Sequence, residues 1–263
     1  MIDLKQIITD TAALARQAGD FIRKEAEGFT KEDVELKGKS DLVSYVDKET
    51  ERIIVSGLQK ILPQGGFITE ENTISQDKKD YTWIIDPLDG TTNFVHGLPS
   101  YAVSIGLLNG DHVIGGVIYE VTRDECFFAW LGGGSFLNGK PIHVTSAAGI
   151  DESLFATGFP VYNFEKLDDY LGILNELMKD AHGLRRVGSA ATDLAYVACG
   201  RYEAFFEYNL NPWDVAAGVI IVKEAGGFVS DFGGGEDYLF GREIVAAGPV
   251  HPKLLNVIHK HWF

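Results

Sequence analysis

The run Trp83-Ile84-Ile85-Asp86-Pro87-Leu88-Asp89-Gly90-Thr91-Thr92-Asn93-Phe94 carries the densest chemistry in the chain. An apolar strand ends in an aspartate, Pro87 fixes the next backbone angle, and a second aspartate precedes a glycine and two threonines. Such a turn can aim two carboxylates and the Leu88 carbonyl at one point. These are hard oxygen ligands of the kind Mg²⁺ takes. The Gly90 and Thr91 amides follow at once and can hold a phosphate oxygen, as nests of N–H groups do. Taken alone, the string is read about equally well as a strand-to-loop turn in which Asp86 and Asp89 make Asx hydrogen bonds.

Three other segments place acids where ordinary structure also explains them. Asp47, in Asp41-Leu42-Val43-Ser44-Tyr45-Val46-Asp47, falls at the start of a predicted helix, where the helix dipole favours a carboxylate. Glu70 and Glu71, in Phe67-Ile68-Thr69-Glu70-Glu71-Asn72, follow a short strand and suit a solvated loop. Asp214 stands three residues after Asn211, in Asn211-Pro212-Trp213-Asp214-Val215-Ala216-Ala217-Gly218, the position of a capping-box acid.

In this order and spacing the four segments resemble the signature set of the inositol monophosphatase family, the lithium-sensitive, Mg²⁺-dependent phosphomonoesterases. The matching strings are D-x-V-S-x-x-D, the glutamate pair, D-P-L-D-G-T-T-N-F, and W-D-x-A-A-G followed by Glu224-Ala225-Gly226-Gly227, and they span essentially the whole chain. The resemblance implies that Glu70, Asp86 and the Leu88 carbonyl hold one Mg²⁺. Asp86, Asp89 and Asp214 would hold a second, with Glu70 also serving a looser third. Thr91 and Asp47 match the catalytic pair that orients and deprotonates the attacking water, and the Gly90 and Thr91 amides match the phosphate cradle. The alcohol would meet Asp89, the Gly188-Ser189-Ala190 turn, Glu207 and Asp214. Three departures are modest: Leu88 replaces a commoner isoleucine but acts through its carbonyl, Ser44 replaces threonine but keeps the hydroxyl, and Thr69 stands where the family often has glycine.

The resemblance further implies hydrolysis of myo-inositol monophosphate to inositol and phosphate by direct water attack. Phosphate-monoester hydrolysis is among the slowest uncatalysed reactions, with enzymatic accelerations of up to ~10²¹, so strong electrostatic stabilisation is required. Two cations about 3.5–4 Å apart can clamp the attacking and leaving oxygens of an in-line displacement. Glu207 would set the preference by bonding hydroxyls of the alcohol. The nearest alternative keeps the chemistry on fructose 1,6-bisphosphate, histidinol phosphate or a nucleotide 3′-phosphate. An alternative of another class, implied by some bacterial members, is a mainly regulatory binding partner of the transcription machinery.

The elements that must position these residues can be read from periodicity. Apolar stripes predict amphipathic helices from Asp3 to about Glu27 and from Val46 to Ile61. Short β-rich runs follow at Phe67-Ile68, Tyr81 to Ile85, Ala102 to Leu108, Val113 to Tyr119 and Cys126 to Leu131, with turns at Asn109-Gly110-Asp111 and Asn138-Gly139-Lys140, a pattern that predicts an antiparallel meander. Beyond residue 150 the pattern alternates. A strand at Leu154 to Thr157 precedes a helix near Phe164 to Lys179. A helix from Ser189 to Cys199, a strand from Arg201 to Tyr208, a helix from Pro212 to Ala225, strands near Val229 and Ile244 to Ala247, and a helix from Pro252 complete it. With no repeat or linker, this predicts one layered α/β domain over 1–263, with an α+β half to about residue 150 and an α/β half beyond it. The resemblance sharpens the fold to an α-β-α-β-α sandwich of the sugar-phosphatase type and implies a homodimer.

Composition narrows the partners. The chain of 263 residues carries 23 Lys+Arg against 38 Asp+Glu, a formal net charge of −15. That balance disfavours nucleic acid and anionic membrane as partners, both of which ask for basic surface. Cys126 and Cys199, far apart in apolar stretches, read as reduced core thiols, and the first residues lack a signal-peptide pattern, so a cytoplasmic protein is expected. His96 is better read as a packing or surface residue, and Gly132-Gly133-Gly134 and Gly233-Gly234-Gly235 as turns or loops, than as site residues.

Overall fold

Hydrophobic patterning sorts the helices into layers. The computed structural model describes residues 2–29, 34–36, 42–160 and 163–263; Asp41, the first acid of the D-x-V-S-x-x-D string, lies outside them. Helices α1 (Leu4–Ala26) and α2 (Tyr45–Ile61) are amphipathic, and their buried stripes lie side by side on one face of a seven-stranded sheet. Helices α4 (Leu167–Asp180) and α7 (His251–Trp262) are also amphipathic and cover the outer face of a five-stranded sheet. In contrast, α5 (Ala190–Ala198) and α6 (Pro212–Glu224) are apolar around most of their circumference, as a helix must be when it has cover on every side. They pack between the two sheets. The result is the layer order α-β-α-β-α.

The seven-stranded sheet runs β3 (Gly66–Thr69), β4 (Tyr81–Asp89), β5 (Ala102–Asn109), β6 (His112–Glu120), β7 (Glu125–Trp130), β8 (Gly134–Leu137) and β9 (Lys140–Pro141), in that order. The expected meander is present from β4 to β9, but β3 pairs with β4 in parallel. The second sheet is ordered β11 (Gly183–Arg185), β10 (Leu154–Thr157), β12 (Ala204–Tyr208), β14 (Glu243–Ala247) and β13 (Phe228–Ser230), with β10 parallel to both its neighbours. A two-stranded hairpin of β1 (Val34–Leu36) and β2 (Leu42–Ser44) leads into α2.

Three cores hold the layers. One lies between α1, α2 and the first sheet around Trp83, Ile105 and Val117; one lies between the sheets around α5 and α6; one lies under α4 and α7 around Phe155, Phe206 and Trp262. Close approach of α6 to the first sheet depends on missing side chains. A Cβ at Gly106 would sit 2.8 Å from the Ala216 Cβ, and one at Gly116 would sit 2.6 Å from the Ala217 carbonyl oxygen. Cys126 is buried and Cys199 half-buried, both free thiols.

Several boundaries differ from the sequence reading for local reasons. The strand expected to end at Ile85 runs on to Asp89, because a bulge accommodates Pro87. The strand expected from Arg201 starts at Ala204, since the Arg201 and Tyr202 amides turn back to the Tyr196 carbonyl at the end of α5. The helix expected from Phe164 starts at Leu167, after a turn in which the Leu167 amide bonds Phe164.

Candidate active site

Strand β4 delivers the two central acids through that bulge. Asp86 pairs with Ser104 and Asp89 with Ala102, so β4 has one residue more than β5 between the two pairs. A bulge of this kind re-aims the side chains around it. Asp86 is buried, and its Oδ1 accepts the Leu88 N–H at 2.9 Å, the Asx turn expected of this string. The chain then turns at Gly90, with φ at +94° and the Ser100 carbonyl oxygen 3.0 Å from where a Cβ would lie, so conformation and space both ask for glycine. The short helix α3 (Thr91–Val95) begins here, and its first-turn amides have no intrahelical acceptor.

Thr91 links this turn to α2. Its Oγ1 is 2.9 Å from Asp47 Oδ1 and 3.0 Å from the Leu88 carbonyl oxygen, two acceptors competing for one hydroxyl proton. Asp47 is only 1% exposed. Its Oδ2 accepts the Ser44 N–H at 2.8 Å and the Ser44 hydroxyl at 2.6 Å, closing a capping box at the start of α2. Burial raises the Asp47 carboxyl above its ordinary range, partly offset by the bonds from Ser44 and Thr91. The capping role and the proximity to Thr91 coexist because each uses a different oxygen.

Glu70 reaches the same place from β3. Its N–H bonds the Ile85 carbonyl at 3.1 Å, and its side chain hydrogen-bonds Asp86. The loop behind it hangs on Glu51, a fully buried acid of α2. Glu51 Oε2 accepts the Glu71 N–H at 2.8 Å, and Oε1 accepts the Thr73 N–H at 2.7 Å and hydroxyl at 2.6 Å.

The N-termini of α5 and α6 close the arrangement. Asp89 Oδ2 accepts the Ser189 hydroxyl at 2.6 Å and the Ala191 N–H at 2.7 Å. Asp214 Oδ2 accepts the Asn211 N–H at 2.7 Å, again a capping contact, while the Ser104 hydroxyl donates to the Trp213 carbonyl and ties α6 to β5. Asn93 Nδ2 donates to the Ser100 and Val187 carbonyls at 2.7 and 2.9 Å, which fixes the β4 turn against the Gly188 turn. Asp89, Gly188, Ser189, Ala190, Glu207 and Asp214 all line one cleft of about 130 Å³. Thr91, Asp47, Asp86, Leu88, Gly90 and Glu70 are not among its lining residues and adjoin it through Asp89. Glu207 rests on Gly158, where an added Cβ would lie 1.9 Å from Oε1. A larger cleft of about 490 Å³, around His112, Leu131, Lys223 and Tyr238, holds none of the predicted site residues.

Electrostatics single out the smaller cleft. Asp86 is pushed well above the carboxylate range by burial and then by the charges of Glu70, Asp89 and Asp214. Burial likewise raises Asp214, with Asp89 as the next cause, and lifts Asp89 to about 6 against the bonds from Ser189 and the α5 amides. Glu207 is pushed up to about 8 by burial. Two carboxylates about 4 Å apart repel by roughly 4 kcal/mol at an effective dielectric of 20, so the charges that Glu70, Asp89 and Asp214 bring to bear on Asp86 invite a cation. An all-oxygen donor set of this charge fits Mg²⁺. No three His, Cys, Asp or Glu side chains among the described residues form a ready metal cage. Glu70, Asp86, Asp89, Asp214 and the Leu88 carbonyl are the oxygen donors that would hold Mg²⁺, alongside water and substrate oxygens.

Two residues of this region went unpredicted. Glu51 and Asp193 are acids at buried positions of predicted helices, and acids are rarely buried without a task. His96 is exposed, in keeping with a surface role. The three glycines 132 to 134 form a turn whose first and last amides donate to the Glu224 carboxylate at 2.9 and 2.8 Å.

Known proteins resemble this chain along nearly its whole length. Residues 3–262 match the model of the inositol monophosphatase family. The chain is 43% identical to Nus factor SuhB of Escherichia coli over 89% of its own length and 88% of the relative's. It is 40% identical to an inositol-1-monophosphatase of Mesorhizobium japonicum, over 94% and 93%. Among solved structures, the extragenic suppressor protein suhB of Bartonella henselae superposes with a TM-score of 0.91 at 39% identity, covering 97% of this chain and 99% of that one. A family-model match along nearly the full length of the chain, with relatives at this identity, places the chain in the inositol monophosphatase family.

Proposed function

We propose that the chain is a Mg²⁺-dependent phosphomonoesterase that hydrolyses myo-inositol monophosphate. The observation that carries this reading is the convergence of Glu70, Asp86, Asp89 and Asp214, from three different elements, beside the cleft that Asp89 and Asp214 line. Glu70, Asp86, Asp89, Asp214 and the Leu88 carbonyl would hold the ions. Bound there, Mg²⁺ supplies positive charge for the phosphoryl oxygens and makes water more acidic.

The chain's own groups do the rest. Thr91 orients the attacking water, takes its proton at Oγ1 and gives its own hydroxyl proton to Asp47 Oδ1, which burial has made the more basic. The oxygen left on the water forms the new bond to phosphorus as the ester P–O bond breaks, and the departing alkoxide takes a proton from solvent. The Gly90 and Thr91 amides hold a phosphate oxygen, and the alcohol lies along Ser189, Ala190 and Glu207.

A panel of phosphate esters assayed for released phosphate, with a Mg²⁺ titration and a lithium control, tests the reading. Turnover of inositol 1-phosphate above fructose 1,6-bisphosphate, histidinol phosphate and nucleotide 3′-phosphate is expected; turnover confined to one of the others would reassign the substrate. The name of the Escherichia coli relative, Nus factor SuhB, favours a second reading in which the chain works mainly as a regulatory binding partner. Absence of turnover on the whole panel would favour that one.

A further inference from the structure

The cleft has a wall residue that neither the mechanism nor the fold accounts for. Asp193 is 1% exposed on α5, a helix whose nine residues are all buried and otherwise carry only Ala, Leu, Val, Thr and Tyr. It lines the same cleft as Asp89, Ser189, Ala190, Glu207 and Asp214. Its Oδ1 is buried with no hydrogen-bond partner. A buried polar atom is costly when unpaired, and natural proteins keep few of them without use.

Helix capping does not explain it. Ser189 is the N-cap, so the capping-box position belongs to Thr192, whose hydroxyl oxygen lies 2.8 Å from that of Ser189. Asp193 falls one residue later, one turn beyond Ser189 and Ala190 and on their face of the helix. The charges that reach it are those of Glu207, Asp89 and Arg186. Arg186 stands at the exposed rim, its guanidinium over the Phe159 ring, and the first two are like charges.

We propose that Asp193 is a specificity determinant that, together with Glu207 in the same cleft, binds two hydroxyl groups of the alcohol and restricts the site to phosphate esters of compact polyols. This rests on the phosphatase reading and deepens it. The cleft volume of about 130 Å³ suits a single small ring or short chain. Both carboxyls line the cleft, and each oxygen can accept a hydrogen bond from a hydroxyl. A site built around hydroxyl partners rejects analogues that lack them, because its own polar groups are then left unpaired.

Asp193→Asn, which keeps the shape, and Asp193→Ala are compared with wild type on inositol 1-phosphate and on p-nitrophenyl phosphate, whose alcohol has no further hydroxyl. Binding of free myo-inositol is measured beside them by calorimetry, and thermal melting checks the fold. In Asp193→Ala the ratio of kcat/KM between the two esters should fall roughly 10- to 100-fold, mostly through KM, and myo-inositol binding should weaken in step, with Asp193→Asn in between. Proportional losses on both esters, or no change in ratio and binding, would overturn the role of Asp193 and leave the phosphatase reading standing. Failure of the wild-type protein to bind the polyol would overturn it as well. Polyol binding that depends on Asp193 in a protein with no turnover would sustain the polyol site and sink the phosphatase reading instead.

Discussion

A carboxylate has two oxygens, and at this site they divide their labour. Asp47 and Asp214 each give one oxygen to a helix cap, the feature that offers a purely structural reading of them in sequence. The other oxygen of Asp47 meets Thr91. Asp47→Asn should keep the cap in part but lose the base, and kcat on a phosphate ester should fall by roughly 10²- to 10⁴-fold while the melting temperature changes little. Gly158→Ala is a sharper geometric test, because its Cβ would lie 1.9 Å from a Glu207 oxygen. The expected result is a raised KM for inositol 1-phosphate with nearly unchanged turnover of p-nitrophenyl phosphate. At this scale much of the site is legible in sequence, since the acids sit in one long specific string and three shorter ones. Glu51 and Asp193 are not, because an acid in a helical stripe looks like a solvated face until its burial is known.

Among the elements, the loop after β3 is held chiefly by α2. Glu51 receives three hydrogen bonds from Glu71 and Thr73, and Gln76 accepts the Thr69 N–H at 2.7 Å. Loss of hydrogen bonds to a buried charged group costs about 1–3 kcal/mol, so Glu51→Gln should lower stability by that order in chemical denaturation. Because the same loop carries Glu70, the Mg²⁺ concentration for half-maximal effect should rise in parallel. An unchanged Mg²⁺ response alongside lost stability would separate the loop from the metal. Long periodic elements such as α1, α2, α6 and the β5–β6 hairpin are readable because their patterns repeat over many residues. The strands β1, β2, β8, β9 and β11, of two to four residues each, offer too few positions for a period to show. The parallel pairing of β3 depends on its partner β4, which local pattern does not encode.

At the scale of the whole molecule, the net charge of −15 concentrates its consequences in one place. Without cations, burial and mutual repulsion raise the carboxyl groups of the cleft, Asp89 to about 6 and Glu207 to about 8. Groups whose folded values are raised stabilise the protein fully below their unfolded values, near 4, and that contribution is lost as pH rises through the folded ones. Metal-free protein should therefore lose site-derived stability between about pH 4 and pH 8. Added Mg²⁺ should restore it, with a larger rise in melting temperature at pH 8 than at pH 5, where protons compete for the same oxygens. An equal rise at both values would mean that Mg²⁺ binds elsewhere. The five-layer order came from the family resemblance, and periodicity gave only one layered α/β domain; in the structure the largely apolar α5 and α6 have a sheet on either side, while amphipathic α1, α2, α4 and α7 each cover one.

The most direct test of the central claim is phosphate release from myo-inositol 1-phosphate across a Mg²⁺ titration, by the wild-type chain and by Asp89→Asn. Wild-type protein should show saturable, Mg²⁺-dependent turnover. The variant should be folded by circular dichroism, with turnover lowered by at least 10²-fold at every Mg²⁺ concentration, since Asp89 joins the acids proposed to hold Mg²⁺ to the α5 N-terminus. Full activity in Asp89→Asn, or wild-type turnover indifferent to Mg²⁺, would contradict the account.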